Sequence, residues 1–211
     1  MLGKKDQLLK TAFILSLITI IYNLFEGGIS VFFGAGDNSL TLLGFGIDSF
    51  VEVISGVGIA HMLIRMRSNF ETDRDNFEKQ ALKITGFSFY LLAAGLFLGA
   101  IVNVIEKVNP STTFPGMVIS VISILTMYFL MNAKMKVGGE LKSDAIIADA
   151  KCTKTCLQLS IILLAASLLY HLFHILYIDT IGSLGIAYLS FREGQESLEK
   201  AKSGRIECCK D

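Results

Sequence analysis

The sequence predicts an all-α membrane protein with six transmembrane helices and with both termini in the cytoplasm. Of the 211 residues, 52% are hydrophobic and only 18% are charged, and the mean hydropathy is +0.57. Soluble domains carry about 25% charged residues, and here the shortage is concentrated in long uncharged runs. The 19 Lys and Arg residues balance the 19 Asp and Glu residues, so no excess positive charge is available to bind nucleic acid.

Five stretches are long and apolar enough to be transmembrane helices, which need about 20 residues to cross the hydrocarbon core. Residues 84–105, 114–133 and 155–178 contain no charged side chain. Residues 11–36 and 40–64 are equally apolar, but the first contains Glu26 and the second contains Asp48 and Glu52. These two stretches are therefore predicted to be spans that carry polar groups.

The sixth span has the shortest apolar stretch. Only residues 180–191 are uncharged between Asp179 and Arg192, which is too short to cross the membrane without flanking residues. Residues 145–198 nevertheless leave room for two helices joined by a tight turn near Tyr177, Ile178 and Asp179. Arg192 would then lie at the far end of the sixth span with its charged head reaching the interface. The sequence thus predicts six spans.

The distribution of positive charge supports this count. With the N-terminus in the cytoplasm, the outer loops are residues 34–39, residues 106–115 and the turn at Asp179, and they contain only Lys107 of the 19 Lys and Arg residues. Most of the others lie at the N-terminus, in residues 65–83 and 134–142, and from Arg192 onward. Because Lys and Arg are retained in cytoplasmic loops, both termini are predicted to be cytoplasmic.

This topology predicts two regions. Residues 1–198 form a six-helix membrane domain, and residues 199–211 form a short cytoplasmic tail that contains the adjacent Cys208 and Cys209. We expect an integral protein of the plasma (inner) membrane. Thiols are reduced in the cytoplasm, so the tail pair either captures a soft ion for the pore or has no role.

Asp48 and Glu52 lie four residues apart and therefore share one face of the second span. Each ionised side chain at the bilayer centre costs about 2.5–3.5 kcal/mol on insertion scales. Gly44, Gly56 and Ala60 continue the same face at intervals of four, so another helix can approach closely there. Acids in such positions usually mark an ion or proton pathway, the alternative being a pair neutralised by protonation or by a Lys or amide of another helix.

Cys152 and Cys156 on the fifth span have the same spacing as the acid pair. Two carboxylate oxygens and two sulfurs would form a four-ligand, tetrahedral site that suits zinc or cadmium, with cobalt or mercury as further candidates, and does not suit magnesium or calcium. Plain packing is the alternative for cysteines in an apolar helix. Because four negative charges around a divalent ion are costly in a low dielectric, we expect a protonated thiol or a nearby cation.

A helical projection of the fifth span gathers its polar side chains into one stripe. That stripe predicts a lining that begins at the cytoplasmic end, passes the cysteines and ends at two histidines near the outside. The histidines are either an outer relay or second metal site, or interfacial residues without a metal role. Asn23 and Glu26 share a face of the first span and are expected to complete the polar cavity. The stripe consists of Asp149, Cys152, Cys156, Ser160, Ser167, His171 and His174.

The two ligand pairs resemble motifs of the cation diffusion facilitator family of metal transporters. The family's second span reads roughly Leu-Leu-Ala-Asp-Ala-x-His/Asp-x-x-x-Asp, and residues 42–52 read LLGFGIDSFVE. Its fifth span reads Ala-Asp-Ala-x-His-x-x-x-Asp, and residues 148–156 read ADAKCTKTC. Tyr177-Ile178-Asp179 is similar to the family's Asp-Pro step without the proline.

The resemblance covers about residues 10–198 and implies export of a divalent metal ion in exchange for protons, by alternating access. It implies the bilayer, the metal ion and protons as partners, and no tightly bound cofactor. Cysteines in place of the family's His and Asp shift the expected preference toward softer ions, and Phe45 stands where the family has an additional acid. The sequence ends where the family's cytoplasmic dimerisation domain would begin, which leaves a homodimer open.

Two other functions use the same residues. One is a metal sensor or membrane subunit that holds a structural ion without transporting it. The other is a soft-metal importer such as a mercury permease, for which the acid pair has no explanation. The sequence contains no arrangement of nucleophile, base and orienting group and no phosphate-binding loop, so an enzyme is not expected.

Overall fold

The computed structural model describes residues 2–68, 76–107, 114–141, 144–173 and 177–203. Every secondary-structure element in these ranges is an α-helix, and five of the six helices are long and apolar enough to cross a membrane. The all-α class and the membrane-spanning architecture predicted from the sequence are confirmed. The helices are α1 (Leu2–Gly36), α2 (Leu40–Ser68), α3 (Asn76–Glu106), α4 (Phe114–Leu141), α5 (Asp144–Phe173) and α6 (Ile178–Ser203).

Successive helices run up and down through the bundle. A small apolar cluster joins the beginning of α1 and α5 to the end of α2 and α4. We call this end of the bundle the terminal face, because α1 begins and α6 ends there, and the other end the opposite face. A larger cluster of α2, α3, α5 and α6 side chains around Phe45 and Leu163 lies nearer the opposite face.

Polar and apolar side chains are distributed as lipid requires. Large apolar side chains cover the outer surface, with Phe32 at 74% exposed and Ile105 at 73%. Many serines and threonines, together with several charged residues, are buried between the helices. Lipid cannot hydrogen-bond to polar groups, so these side chains depend on partners inside the bundle.

Close approach of α1 and α2 depends on two glycines. A Cβ atom on Gly34 would lie 2.5 Å from the backbone nitrogen of Leu43, and one on Gly46 would lie 2.8 Å from the backbone nitrogen of Val31. Such small residues let two backbones pack closely in a membrane. This contact brings the polar face of α1 directly against the acid pair of α2.

The start of α2 is held by the start of α6. Ser39 is the N-cap of α2, and its hydroxyl accepts a hydrogen bond from the amide of Leu42 at 3.2 Å. The same hydroxyl donates to Oδ1 of Asp179 at 2.7 Å, while Oδ2 of Asp179 accepts from the amides of Leu40 (2.8 Å) and Thr41 (3.3 Å). One carboxylate thus binds three donors at the positive end of α2.

The fifth and sixth helices are joined as the sequence predicts, near Tyr177. This residue has a positive φ of 68°, and α6 begins at the next residue, so Ile178 and Asp179 belong to the helix rather than to the turn. The fifth helix spans Asp144–Phe173, whereas the apolar run predicted residues 155–178. It therefore begins eleven residues earlier and ends five residues earlier than expected. Among the charged residues near its start, Asp149 faces α4, where it pairs with Lys134 at 3.0 Å.

Replacing Asp179 with alanine removes the acceptor of three buried or half-buried donors at the start of α2. We expect the mutant to lose about 1–3 kcal/mol of stability, the usual cost of unsatisfied buried donors. Thermal unfolding of the detergent-solubilised protein measures this loss. Asp6→Ala is the control, since Asp6 forms an exposed pair with Lys10 at 3.1 Å; an equal effect of both substitutions would contradict the capping role.

Candidate metal centre

Asp48, Glu52 and Cys156 meet between α2 and α5. Each offers a ligand atom, and these three atoms lie within 4.8 Å of one another. Asp48 is 1% exposed and Cys156 is fully buried. The i, i+4 spacing places both acids on one face of α2, and that face is directed at the thiol of α5. We refer to these three residues as the triad.

Hydrogen bonds orient the triad only in part. The Cys156 thiol donates to the Glu52 carboxylate, and Nδ2 of Asn23 donates to Oε2 of Glu52 at 3.0 Å. Within the described part of the chain, Oδ1 of Asp48 and Oδ1 of Asn23 are buried without a hydrogen-bond partner. Buried acceptors in this state are costly, and a cation coordinated by the triad would satisfy that of Asp48.

The donor set defines the class of ion that fits. Two carboxylates and one thiolate provide three ligands and leave a further coordination position open, as in zinc sites that exchange their fourth ligand. Sulfur favours zinc, cadmium and softer ions over magnesium and calcium. The Cys156 thiol must release its proton before its sulfur can bind an ion as a thiolate.

Cys152 lies outside the triad. It is half-buried and one helical turn closer to the terminal face than Cys156. Four residues of helix rise about 6 Å along the axis, so one thiol meets the acid pair while the other lies below it. The structure therefore brings together three of the four residues that the matching spacing singles out.

Glu26 forms a second buried acidic position beside the triad. Its Oε1 accepts from the Tyr22 hydroxyl at 2.8 Å and its Oε2 accepts from the Ser49 hydroxyl at 3.2 Å. Ser123 of α4 also hydrogen-bonds to this carboxylate and lies 2.8 Å from Ser160 of α5, oxygen to oxygen. Asn23 and Glu26 are thus both directed into the bundle, where Asn23 contacts Glu52 and Glu26 contacts a cluster of hydroxyls.

A buried ion pair lies on the terminal-face side of the triad. Nζ of Lys134 is 3.0 Å from Oδ2 of Asp149 and donates to Oγ1 of Thr153 at 3.0 Å. The Lys134 charge also acts on Glu52. The sequence analysis placed Lys134 among the cytoplasmic charges because it follows an uncharged run. Its spacing from Ser123, eleven residues or about three turns, was the available signal that it shares a face with a buried polar side chain.

Glu193 on α6 is a further acid that the sequence analysis did not select. Its Oε1 accepts from the Thr155 hydroxyl at 2.7 Å, and its charge acts on both Asp48 and Glu52. Glu193 directly follows Arg192, where the apolar stretch of the sixth span ends, so it was not considered as a group inside the bundle. Its position next to the residue that precedes Cys156 adds one more negative charge to the surroundings of the triad.

The remaining predicted site residues are distributed differently. His171 is exposed near the end of α5, close to the opposite face, so its ring is directed outward rather than into the bundle. His174, Cys208 and Cys209 lie outside the described residues. The candidate centre therefore consists of buried and half-buried groups from α1, α2, α4, α5 and α6.

One comparison with known proteins identifies a family. The sequence profile of the cation efflux transmembrane domain matches residues 12–203, which includes all six helices except the first residues of α1. No curated protein matches the chain significantly. The matched region contains the triad, Glu26, the Lys134–Asp149 pair and the Asp179 cap.

Asn23→Ala removes the amide that orients Glu52 without removing a triad ligand. We expect metal affinity to fall by about 10–100-fold, as is typical when a group that holds a metal ligand is lost. Isothermal titration of the purified protein with zinc and with cadmium measures the change. Asn132→Ala is the matched control, because the Asn132 side chain bonds to its own helix backbone on the exposed surface; unchanged affinity in Asn23→Ala would disprove the orienting role.

Proposed function

The chain belongs to the cation efflux family, and we propose that it exports a soft or borderline divalent metal ion, zinc or cadmium before cobalt or mercury, in exchange for protons. Family membership makes it a transporter of divalent metal cations rather than an enzyme. The observation that carries the finer proposal is the buried triad of Asp48, Glu52 and Cys156. The ion is the cargo of this site and not a resident cofactor.

Proton exchange follows from the chemistry of the ligands. Carboxylates and thiols bind a metal ion only when deprotonated, so metal binding releases protons and protonation releases metal. A site that opens alternately to the two sides of the membrane would load metal from the less acidic cytoplasm. Protons entering from the more acidic outside would then displace it. Alternating access and competition at the triad are sufficient for antiport.

The other groups along the bundle are proposed to form the path to and from the triad. Glu26, with its hydroxyl partners, extends the polar cavity on the α1 side. Asp149 and Cys152 lie on the terminal-face side. His171 and His174 are proposed to serve the exit on the opposite face.

The placement of the chain in the cell is also a proposal. Both termini are assigned to the cytoplasm and the protein to the plasma (inner) membrane, since the positive charges are concentrated at the terminal face. Residues 1–198 would form the transport domain and residues 199–211 a tail. Cys208 and Cys209 in that tail would capture soft ions before they enter.

Transport in inside-out vesicles tests the proposal. We expect zinc and cadmium uptake to depend on an acidic vesicle interior and to fall to background in Asp48→Asn, because one triad carboxylate is then lost. Cys152→Ser should retain the site but slow its loading. Glu199→Gln is the control, since Glu199 is an exposed acid on α6 and its loss should leave uptake unchanged.

Two experimental outcomes would support a different function. Tight metal binding without any flux in the wild-type protein would establish a sensor or a membrane subunit. Higher metal content in cells that express the protein would establish an importer. Uptake that does not depend on the pH gradient would support metal export but exclude exchange for protons.

The thiol of the triad predicts the metal preference. Replacing Cys156 with aspartate keeps a negative ligand but exchanges sulfur for oxygen, so the ratio of cadmium to zinc affinity should fall by roughly tenfold or more. Titrations in a Cys208→Ser/Cys209→Ser background exclude binding by the tail. A ratio that does not change would mean that Cys156 does not coordinate the ion.

A further inference from the structure

Lys134 is a buried cation that the triad does not explain. Its side chain is 2% exposed, and its ammonium lies between the carboxylate of Asp149 and the hydroxyl of Thr153, 3.0 Å from each. Removing a charged side chain from water costs several kcal/mol unless it is paired. The pair joins α4 to α5, but an apolar contact could join two helices without that cost.

Asp149 and Cys152 are neighbours on one face of α5, three residues apart. A helix rises 1.5 Å per residue, so Asp149 lies about 10 Å from Cys156 along the axis, with Cys152 between them. An ion that follows this helix from the terminal face meets Asp149 first, Cys152 second and the triad last. The helical spacing thus places a carboxylate and a thiol one turn apart on the same face of α5, and these are the donor types that form the triad.

We propose that Asp149 and Cys152 form an entry position for the metal ion, and that the Lys134 ammonium is a tethered cation which an arriving ion must displace. The inference rests on the proposed transport function and adds a second ion position to it. The position takes the same class of cargo, a soft or borderline divalent cation. It also gives Cys152 a role although that thiol lies outside the triad.

Displacement of a tethered cation favours soft ions. An ion enters only if the free energy gained by coordinating the thiol and carboxylate exceeds two costs. These are the free energy of removing its bound water and that of breaking the Lys134–Asp149 pair. Magnesium holds its water strongly and binds thiols poorly, whereas cadmium and zinc bind them well. Lys134 thus raises the coordination free energy that any ion needs to occupy the position, and only ions that bind thiols well supply it.

The test counts cadmium ions bound per chain by equilibrium dialysis of the full-length protein. All variants carry Cys208→Ser and Cys209→Ser so that the tail does not bind cadmium. At cadmium concentrations that just saturate the triad, we expect one bound ion with Lys134 present, because the ammonium holds the entry position, and two in Lys134→Met. A large excess of cadmium should displace the ammonium and occupy the entry position with Lys134 present as well. Adding Cys152→Ser to Lys134→Met should return the number to one. Lys134→Arg, which keeps the charge, should also bind one.

Lys136→Met is the matched control, since Lys136 is an exposed lysine two residues further along α4. If Lys134→Met binds a single ion with unchanged affinity, the tethered-cation role is wrong while the proposed function stands. If the wild-type protein binds no ion, the triad itself fails. These two failures are therefore distinguishable.

A second measurement leaves Lys134 in place and so does not depend on the folding of its variants. In a Cys156→Ser/Cys208→Ser/Cys209→Ser background, Cys152 is the single remaining thiol. Saturating cadmium should slow its alkylation at least about tenfold, whereas magnesium at the same concentration should not. Equal alkylation rates with and without cadmium would overturn the entry position.

Discussion

The cost of holding ionisable groups away from water governs this structure. Glu26, Asp48, Lys134 and Asp149 are all buried in a bundle whose outer surface is apolar. In lipid no solvent can compensate such groups, so each must find a partner on another helix or bind an ion. Most do find partners: hydroxyls surround Glu26, and Lys134 neutralises Asp149. Asp48 keeps a buried oxygen without one, which makes it the position where a cation brings the largest relief.

The fold supplies the geometry that this arrangement needs. Gly34 and Gly46 let α1 and α2 approach closely enough for Asn23 to reach Glu52. At the opposite face, Asp179 binds the start of α2 and thereby fixes that helix to α6. The acid pair thus lies on a helix that is held at its end and along its side. Small residues and a capping carboxylate act together with the apolar cluster around Phe45 and Leu163, which packs α2 against α5, to determine where the triad lies.

The sequence predicted those features that stand out against an apolar background. Two acids four residues apart in an uncharged stretch, and two cysteines at the same spacing, led directly to Asp48, Glu52 and Cys156. Lys134 and Glu193 were missed because each lies where an apolar run ends, and the preference of positive charges for the cytoplasmic side assigned Lys134 to the surface. Whether such a side chain is directed inward depends on the rotation of its helix. Lipid is as apolar as the interior, so the sequence of a transmembrane helix encodes that rotation only weakly.

Charge balance connects the triad to its surroundings. Two ionised carboxylates alone would neutralise a divalent ion, and the thiol then coordinates best if it gives up its proton on binding. Glu26 and Glu193 add negative charge close by, while the Lys134 ammonium adds positive charge that reaches Glu52. A site with only acids would bind the ion too tightly to release it, and a site with a free cation would repel it. In the proposed mechanism, the pairing of Lys134 with Asp149 keeps the cation outside the triad yet near enough to weaken metal binding, so that the site can both load and unload the ion.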